Sequence, residues 1–325
     1  MVARRSLCIL ALLLSVLTTV GGAASVTGEL EFANTITVDS EGVFSNLFLP
    51  AATLTLASPT QGTVRGEIRI KTPPASSDVS WDDYIRGAYL RARFPFGRLT
   101  VGKNALSWGD GFFFNAAEVV TRRFDRDQGL LRADAVWLVG FYVPIKALDF
   151  VEVVALPSLQ GSGVGVAGRL YLSLGALKAE AGYVLQEQLH TPYVSLQGHL
   201  GVDWWIASSV DISSQVEELR LSAGLFHSFF LVGGGTITVR GEVMGIPIGE
   251  EHDLSVGFEG VYAPDQSQRF SLSGTYSTQT AVMDAGVGYS IVPLEALTLG
   301  AALSTSITSG SFGGVRLTLS CSWIF

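Results

Sequence analysis

Val315-Arg316-Leu317-Thr318-Leu319-Ser320-Cys321-Ser322-Trp323-Ile324-Phe325 closes the chain. Its odd positions read Val, Leu, Leu, Cys, Trp and Phe; its even positions read Arg, Thr, Ser, Ser and Ile. Successive side chains of a strand point to opposite faces, so this period makes the segment a strand with one apolar and one mainly polar face. The same period recurs upstream. Val26, Gly28, Leu30 and Phe32 alternate with Thr27, Glu29 and Glu31. Val64, Gly66, Ile68 and Ile70 alternate with Arg65, Glu67, Arg69 and Lys71, and Ala88, Leu90, Ala92 and Phe94 with Tyr89, Arg91 and Arg93. Further runs, around Leu221, Val239, Val256 and Leu272, carry the pattern through most of the chain.

Hydrophobic residues make up 48 % of the chain, yet only one long apolar run exists, from Leu7 to Val20. That run follows Arg4 and Arg5 and precedes Gly22-Ala23-Ala24, the layout of a secretory leader: basic start, short apolar core, small residues at the cut. It is shorter than the roughly 20 residues of a spanning helix. The expected organisation is a leader over residues 1–24 and one domain over 25–325. An uncleaved anchor helix is the alternative. Cys8 stands at the start of the apolar run, away from the small residues, which argues against a lipoprotein.

Apolar residues spread in period two, with no run to insert as a helix, suit a membrane barrel, whose lipid-facing and lumen-facing positions alternate. Counting period-two runs between turn residues gives 18 strands, among them 131–143 and the short segment 204–212. The expected fold is all-β: a single transmembrane antiparallel β-barrel with an even strand number of about 14 to 18 and both termini periplasmic. On that count the two longest connections, 72–83 and 105–130, share one side, and the opposite side receives short turns such as Pro95-Phe96-Gly97 and Ala263-Pro264-Asp265. Thr278-Gln279-Thr280 is the exception, a short connection on the long-loop side, which a miscounted strand would explain. Phe94, Tyr262, Phe270, Tyr276, Tyr289, Trp323 and Phe325 fall near strand ends on the apolar face, where interfacial aromatic girdles sit. A soluble β-sandwich also alternates; the leader, the strand number and the terminal aromatic weigh against it.

A chain ending on a large aromatic at the close of such a strand resembles the closing strand of bacterial outer-membrane β-barrels. The resemblance implies that Trp323 and Phe325 help the barrel-assembly machinery recognise its substrate. A second resemblance covers Val101 to Asn115, with Ser107-Trp108-Gly109-Asp110-Gly111 and Phe114-Asn115 at its heart. This stretch is similar to a "GR…SWG.G..FNP" segment of porin-like barrels; Ala116 stands where that pattern often has proline. In porins generally a long loop folds into the lumen and narrows it. Carried over, Asp110, Glu118, Asp125 and Asp127 would face the opposite wall across a constriction. The plainer reading is an outer cap whose Phe112-Phe113-Phe114 packs on the rim. The aromatics argue against disorder in a loop of this length.

Without Arg4 and Arg5 the chain keeps 19 Lys and Arg against 29 Asp and Glu, a net charge near −10 that argues against nucleic acid as partner. Twelve of those 19 bases lie between Arg65 and Arg132. On the strand register Arg65, Arg69, Arg91, Arg93 and Arg132 point away from the apolar face. In a barrel they would form one basic wall of the lumen, which favours ions of opposite sign. The alternative is a purely structural set of arginines paired with Glu67, Asp134 and other acids. Enzyme signatures are poor. His190, His199, His227 and His252 lack metal-ligand spacing, and no serine stands in a G-x-S-x-G context. His252, beside Glu250, Glu251 and Asp253, reads as an exposed loop.

The sequence therefore points to a porin-like outer-membrane channel passing small polar solutes, with outer-membrane lipids and the assembly machinery as partners. A homo-oligomer is compatible with it, and no metal, cofactor or catalysis is expected. A non-conducting structural barrel, adhesin or surface antigen is the alternative, and a barrel hydrolase comes third.

Overall fold

A computed structural model of the chain describes residues 25–58, 63–72, 81–109, 111–120, 124–125, 132–133, 135–157, 164–213, 217–248, 253–308 and 311–325. The strands are β1 (Ser25–Asp39), β2 (Phe44–Ala57), β3 (Val64–Lys71), β4 (Ile85–Phe94), β5 (Gly97–Ala105), β6 (Phe124–Asp125), β7 (Arg132–Ala133), β8 (Ala135–Pro144), β9 (Phe150–Pro157) and β10 (Val164–Leu174). They continue with β11 (Leu177–Gln186), β12 (Leu189–His199), β13 (Asp203–Ile212), β14 (Glu217–Phe230), β15 (Thr236–Ile248), β16 (Asp253–Ala263), β17 (Gln268–Ser277), β18 (Val282–Leu294), β19 (Leu297–Thr308) and β20 (Ser311–Ile324). Eighteen of these form one antiparallel sheet, and β6 with β7 forms a separate ladder. Each barrel strand pairs with its sequence neighbours, and β1 pairs with β20, so the sheet closes without an edge.

Register rows show why alternation suffices to build this wall. Gly260, Leu272, Val287, Leu303, Leu317 and Ile36 stand opposite one another in turn across β16 to β20 and over the closing seam to β1. The adjacent row is Glu259, Ser273, Gly286, Ser304, Arg316 and Thr37. One row looks outward and the other into the lumen. A slip of one residue would exchange them, which fixes the register wherever the outer face is apolar. At the rim that carries both chain ends, here the near rim, outward aromatics gather. Phe96 lies 5.7 Å from Phe94 and 6.2 Å from Phe141, and Phe270 lies 6.1 Å from Tyr262 and 4.7 Å from Tyr289. That is the girdle position of barrels that span a membrane.

The weak segment 204–212 is a full strand, β13. The turn 278–281 is a true short connection at the far rim, with no miscounted strand behind it. Asp253 caps it, accepting from the Gln279 amide (3.0 Å) and from the Ser277 and Thr278 hydroxyls (3.1 and 3.2 Å). One expectation needs correction. The barrel strand expected over 131–143 begins only at Ala135. Ala133 and Arg132 pair instead with Phe124 and Asp125 in the small ladder, outside the barrel wall. Period two runs unbroken through both ladders, so it could not show where one stops. The connection 72–83 also does more than loop outward. Its last part, Trp81–Tyr84, is a 3₁₀ turn beside the outer face of β3 and β4. Asp82 there pairs with Lys103 Nζ at 2.8 Å and accepts from Trp137 Nε1 at 2.8 Å. Lys103 and Trp137 share the outward face with Ala88, and a bare lysine on that face would be destabilising. Its ion pair with Asp82 compensates.

Candidate functional site: a loop folded into the lumen

Beyond β5 the chain turns inward. Leu106, Trp108, Ala116, Ala117, Val119 and Val120 pack against Leu138, Val154, Leu156, Ala167, Val184, Tyr193 and Ala207, the lumen-facing side chains of β8 to β13. The wall is cut to receive the loop: Ala167 and Ala207 are small, and Gly182 leaves room for the Tyr193 ring, which a Cβ would meet at 2.3 Å. Trp108 is 0 % exposed and stacks on Tyr193 with ring centroids 5.7 Å apart. Burying one such side chain stabilises by about 1.5–3 kcal/mol or more. Gly109 takes a left-handed φ of +70° to turn the chain there, and a Cβ on it would meet Ala117 Cβ at 2.4 Å.

Polar groups fix the loop at three points. At its root Arg169 binds Glu152 (2.8 Å) and Glu180 (3.3 Å) and donates to the Ser107 carbonyl (3.3 Å). Glu180 also accepts from Tyr193 Oη at 2.6 Å and the Gly109 amide at 3.2 Å. In the middle the Ala116 amide donates to Ser222 Oγ of β14 at 3.1 Å. At the tip the three consecutive amides of Phe112, Phe113 and Phe114 donate to the Glu242 carboxylate of β15 at 2.6, 2.7 and 2.9 Å. Successive N–H groups aimed at one anion form a concave anion seat, filled here by a side chain. The Arg240 guanidinium lies 3.8 Å from the centroid of the Phe112 ring, and the Phe113 ring covers Gly257 of β16. The loop thus follows the lumen wall from β8 round to β16.

Of the expected acids, Glu118 is the one whose side chain is described. It is 5 % exposed and accepts from the Trp108 amide at 3.0 Å, inside the loop. Asp110 and Asp127 lie outside the described residues, as does the side chain of Asp125, whose backbone pairs with Arg132 in the small ladder. The acids that do position the loop are Glu152, Glu180 and Glu242. All three sat on polar faces of legible strands, but nothing local ties them to a loop as much as 130 residues away.

The basic wall sits on β3 to β5. Arg65 stands opposite Arg91, and Arg93 opposite Arg98. Glu67 binds Arg65 at 3.3 Å and Arg69 at 2.5 Å, and accepts from Tyr89 Oη at 3.0 Å. Among the described residues no carboxylate comes within ion-pair distance of Arg91, Arg93 or Arg98. Arg98 lies 4.5 Å over the Tyr142 ring and Arg91 5.1 Å from that of Tyr89. Arg98 was missing from the expected wall. The tight turn Pro95-Phe96 pairs it with Arg93 and so places it there. The Arg132 side chain lies outside the described residues, and its backbone is not on the barrel. On the other side of β1 and β2, strands β17 to β20 present Ser271, Ser273, Gly286, Ser304, Ser320 and similar small groups, and Asp284 and Arg316 face the lumen exposed.

No protein-family model matches the sequence, and no curated protein sequence does. Solved structures do. OccK11 (OpdR) of Pseudomonas aeruginosa is similar at a TM-score of 0.63 and 12 % identity, over 93 % of this chain and 95 % of that one. OpdK of the same organism, solved with vanillate, gives 0.62 and 12 % over 93 % and 98 % of the two chains. OccAB4 of Acinetobacter baumannii gives 0.60 and 10 % over 93 % of this chain and 98 % of that one. OpdK is described as an outer membrane protein. At these identities the likeness is one of fold, and it extends over nearly the whole barrel.

Proposed function

We propose that the chain is an outer-membrane channel through which small hydrophilic solutes or ions diffuse passively. One observation carries this reading: the inward loop covers the lumen face of β8 to β16, whereas lumen-facing Asp284 and Arg316 beyond it stay exposed to solvent. A loop that narrows a lumen without filling it sets a size limit, and the arginines of β3 to β5 add a field that favours anions. The same fold in an outer membrane protein solved with vanillate, a small carboxylate, supports the passage of small polar solutes. The outward apolar rows and the near-rim girdle support the location. In this reading residues 1–24 are a leader, the near rim faces the periplasm, and Trp323 and Phe325 are read by the assembly machinery. Homo-oligomers are compatible with it. Channel transport needs no catalytic group: His199 pairs with Asp203 in an exposed near-rim turn and His190 with Tyr183, and His252 lies outside the described residues.

The test is conductance of the purified protein in planar bilayers. Absence of steps above background would favour the structural or adhesive barrel instead, and turnover of lipid or peptide by the same preparation would revive the hydrolase. With channels in hand, reversal potential in a salt gradient should show anion preference, and Arg91→Gln with Arg93→Gln should weaken it. An unchanged reversal potential would remove the basic wall from the mechanism.

A further inference from the structure

We infer that Glu242 is the positioning residue that holds the lumen open, by latching the loop tip flat against the wall. The inference rests on the channel reading. Its basis is geometric. The loop root is held by apolar burial and by the Arg169 cluster, but the tip, Phe112 to Phe114, reaches farthest and gains its three backbone bonds from one carboxylate. Glu242 is 4 % exposed, so those amides have no water to replace it. The tip also has a socket. Glu242 stands opposite Gly257 in register, and a Cβ on Gly257 would lie 2.6 Å from the Phe113 ring. Anionic Glu242 offers only acceptors to the three donors. Protonated, it would place an O–H among them and lose the charge that strengthens each bond.

Among the described residues, the charges around Glu242 are few. Arg240 lies two residues away on β15, paired with Glu259 of β16 at 3.2 Å, and Arg269 of β17 adds positive charge near Arg240. β14 presents Ser222, Gly224 and Phe226 there, and the described tip residues Gly111 to Asn115 carry no titratable side chain. Neutralising Glu242 therefore releases the tip into the lumen, where it obstructs flow.

Single-channel conductance of the full chain in planar bilayers tests this, with heat-modifiable gel migration to show that each variant is assembled. Lowering the pH from about 7 to about 3, which brackets ordinary carboxylates, should cut conductance at least about twofold and add flicker. Glu242→Gln should show the reduced, flickering state already at neutral pH and no further change in acid. Glu242→Asp should restore the pH-dependent step, and Glu259→Gln should leave it in place. Gly257→Ala, which fills the socket without touching the carboxylate, should reproduce the reduced state, and it carries the test if Glu242→Gln does not assemble. Parent-like conductance in Glu242→Gln, or in Gly257→Ala where that stands in, overturns the latch. So does a pH step that vanishes with Glu259→Gln and survives Glu242→Gln. Absence of channels from the unsubstituted protein would instead overturn the channel reading.

Discussion

Phe325 closes the barrel through its backbone as well as its ring. Its amide donates to the Gly28 carbonyl and its carbonyl accepts from the Gly28 amide, both at 2.8 Å. The ring lies across Gly28, where a Cβ would meet it at 2.2 Å, and 5.6 Å from the Trp323 ring. Gly28 thus exposes bare backbone for the last aromatic to cover, on the seam that joins β1 to β20. Two outcomes follow from this pair. Deleting Phe325 should lower the yield of assembled, heat-modifiable protein far more than it alters the conductance of molecules that do assemble. Gly28→Val should displace the ring and destabilise the seam by about 1 kcal/mol, read as a lower temperature of gel-shift unfolding, since loss or strain of one aromatic contact is of that order. An equal effect from Val at outward Gly260, which has nothing within 4 Å of its would-be Cβ, would show that the ring contact is not the cause.

At the scale of elements the strands were legible and the loop was half legible. Period two with turn residues between runs is a local signal, and it yielded the sheet count, the closing strand and the sidedness of long and short connections. It misplaced the start of β8 because alternation looks the same in a barrel strand and in the two-residue ladder of β6 and β7. The loop's order was announced by its aromatics and its length; its inward course was implied only by its likeness to porin-like segments, with an outer cap as the alternative. Its anchors were not announced, because Ser222, Glu180 and Glu242 meet it across 106, 71 and 130 residues of chain. Contacts of that separation leave no period in the sequence. Trp108 allows a check at this scale. Trp108→Ala should loosen the loop root, a cost of about 3–5 kcal/mol for a buried tryptophan, and make residues 106–120 accessible to protease in assembled barrels. The barrel itself should keep its heat-modifiable shift, because the closed ladder does not depend on the loop. A protease-resistant loop in that variant would mean that the polar anchors alone suffice.

For the whole molecule the lumen is lopsided, and this makes the path of water testable without knowing the solute. One arc of wall, β8 to β16, carries the loop, and lumen-facing Ala207 beneath it is 1 % exposed. The other arc, β17 to β20 and on to β1, carries serines, threonines and glycines, with Ser273 and Ser320 partly exposed on the lumen face. Small hydroxyl side chains keep that arc wide, and a wide, wet arc opposite a packed one should conduct. Cysteine substitution reads this directly. Cys8 and Cys321 are the only cysteines of the chain, and Cys321 stands in register with outward Phe32, so Cys8→Ser with Cys321→Ser gives a background silent to lumen reagents. In that background Ser273→Cys and Ser320→Cys should react with a charged, water-soluble thiol reagent, each reaction lowering conductance in a step. Ala207→Cys should stay unreactive while the loop is docked and become reactive when it is combined with Trp108→Ala. Equal reaction at all three positions in the parent loop would show that the loop does not lie on the wall, and the size limit would then have to be set elsewhere in the lumen.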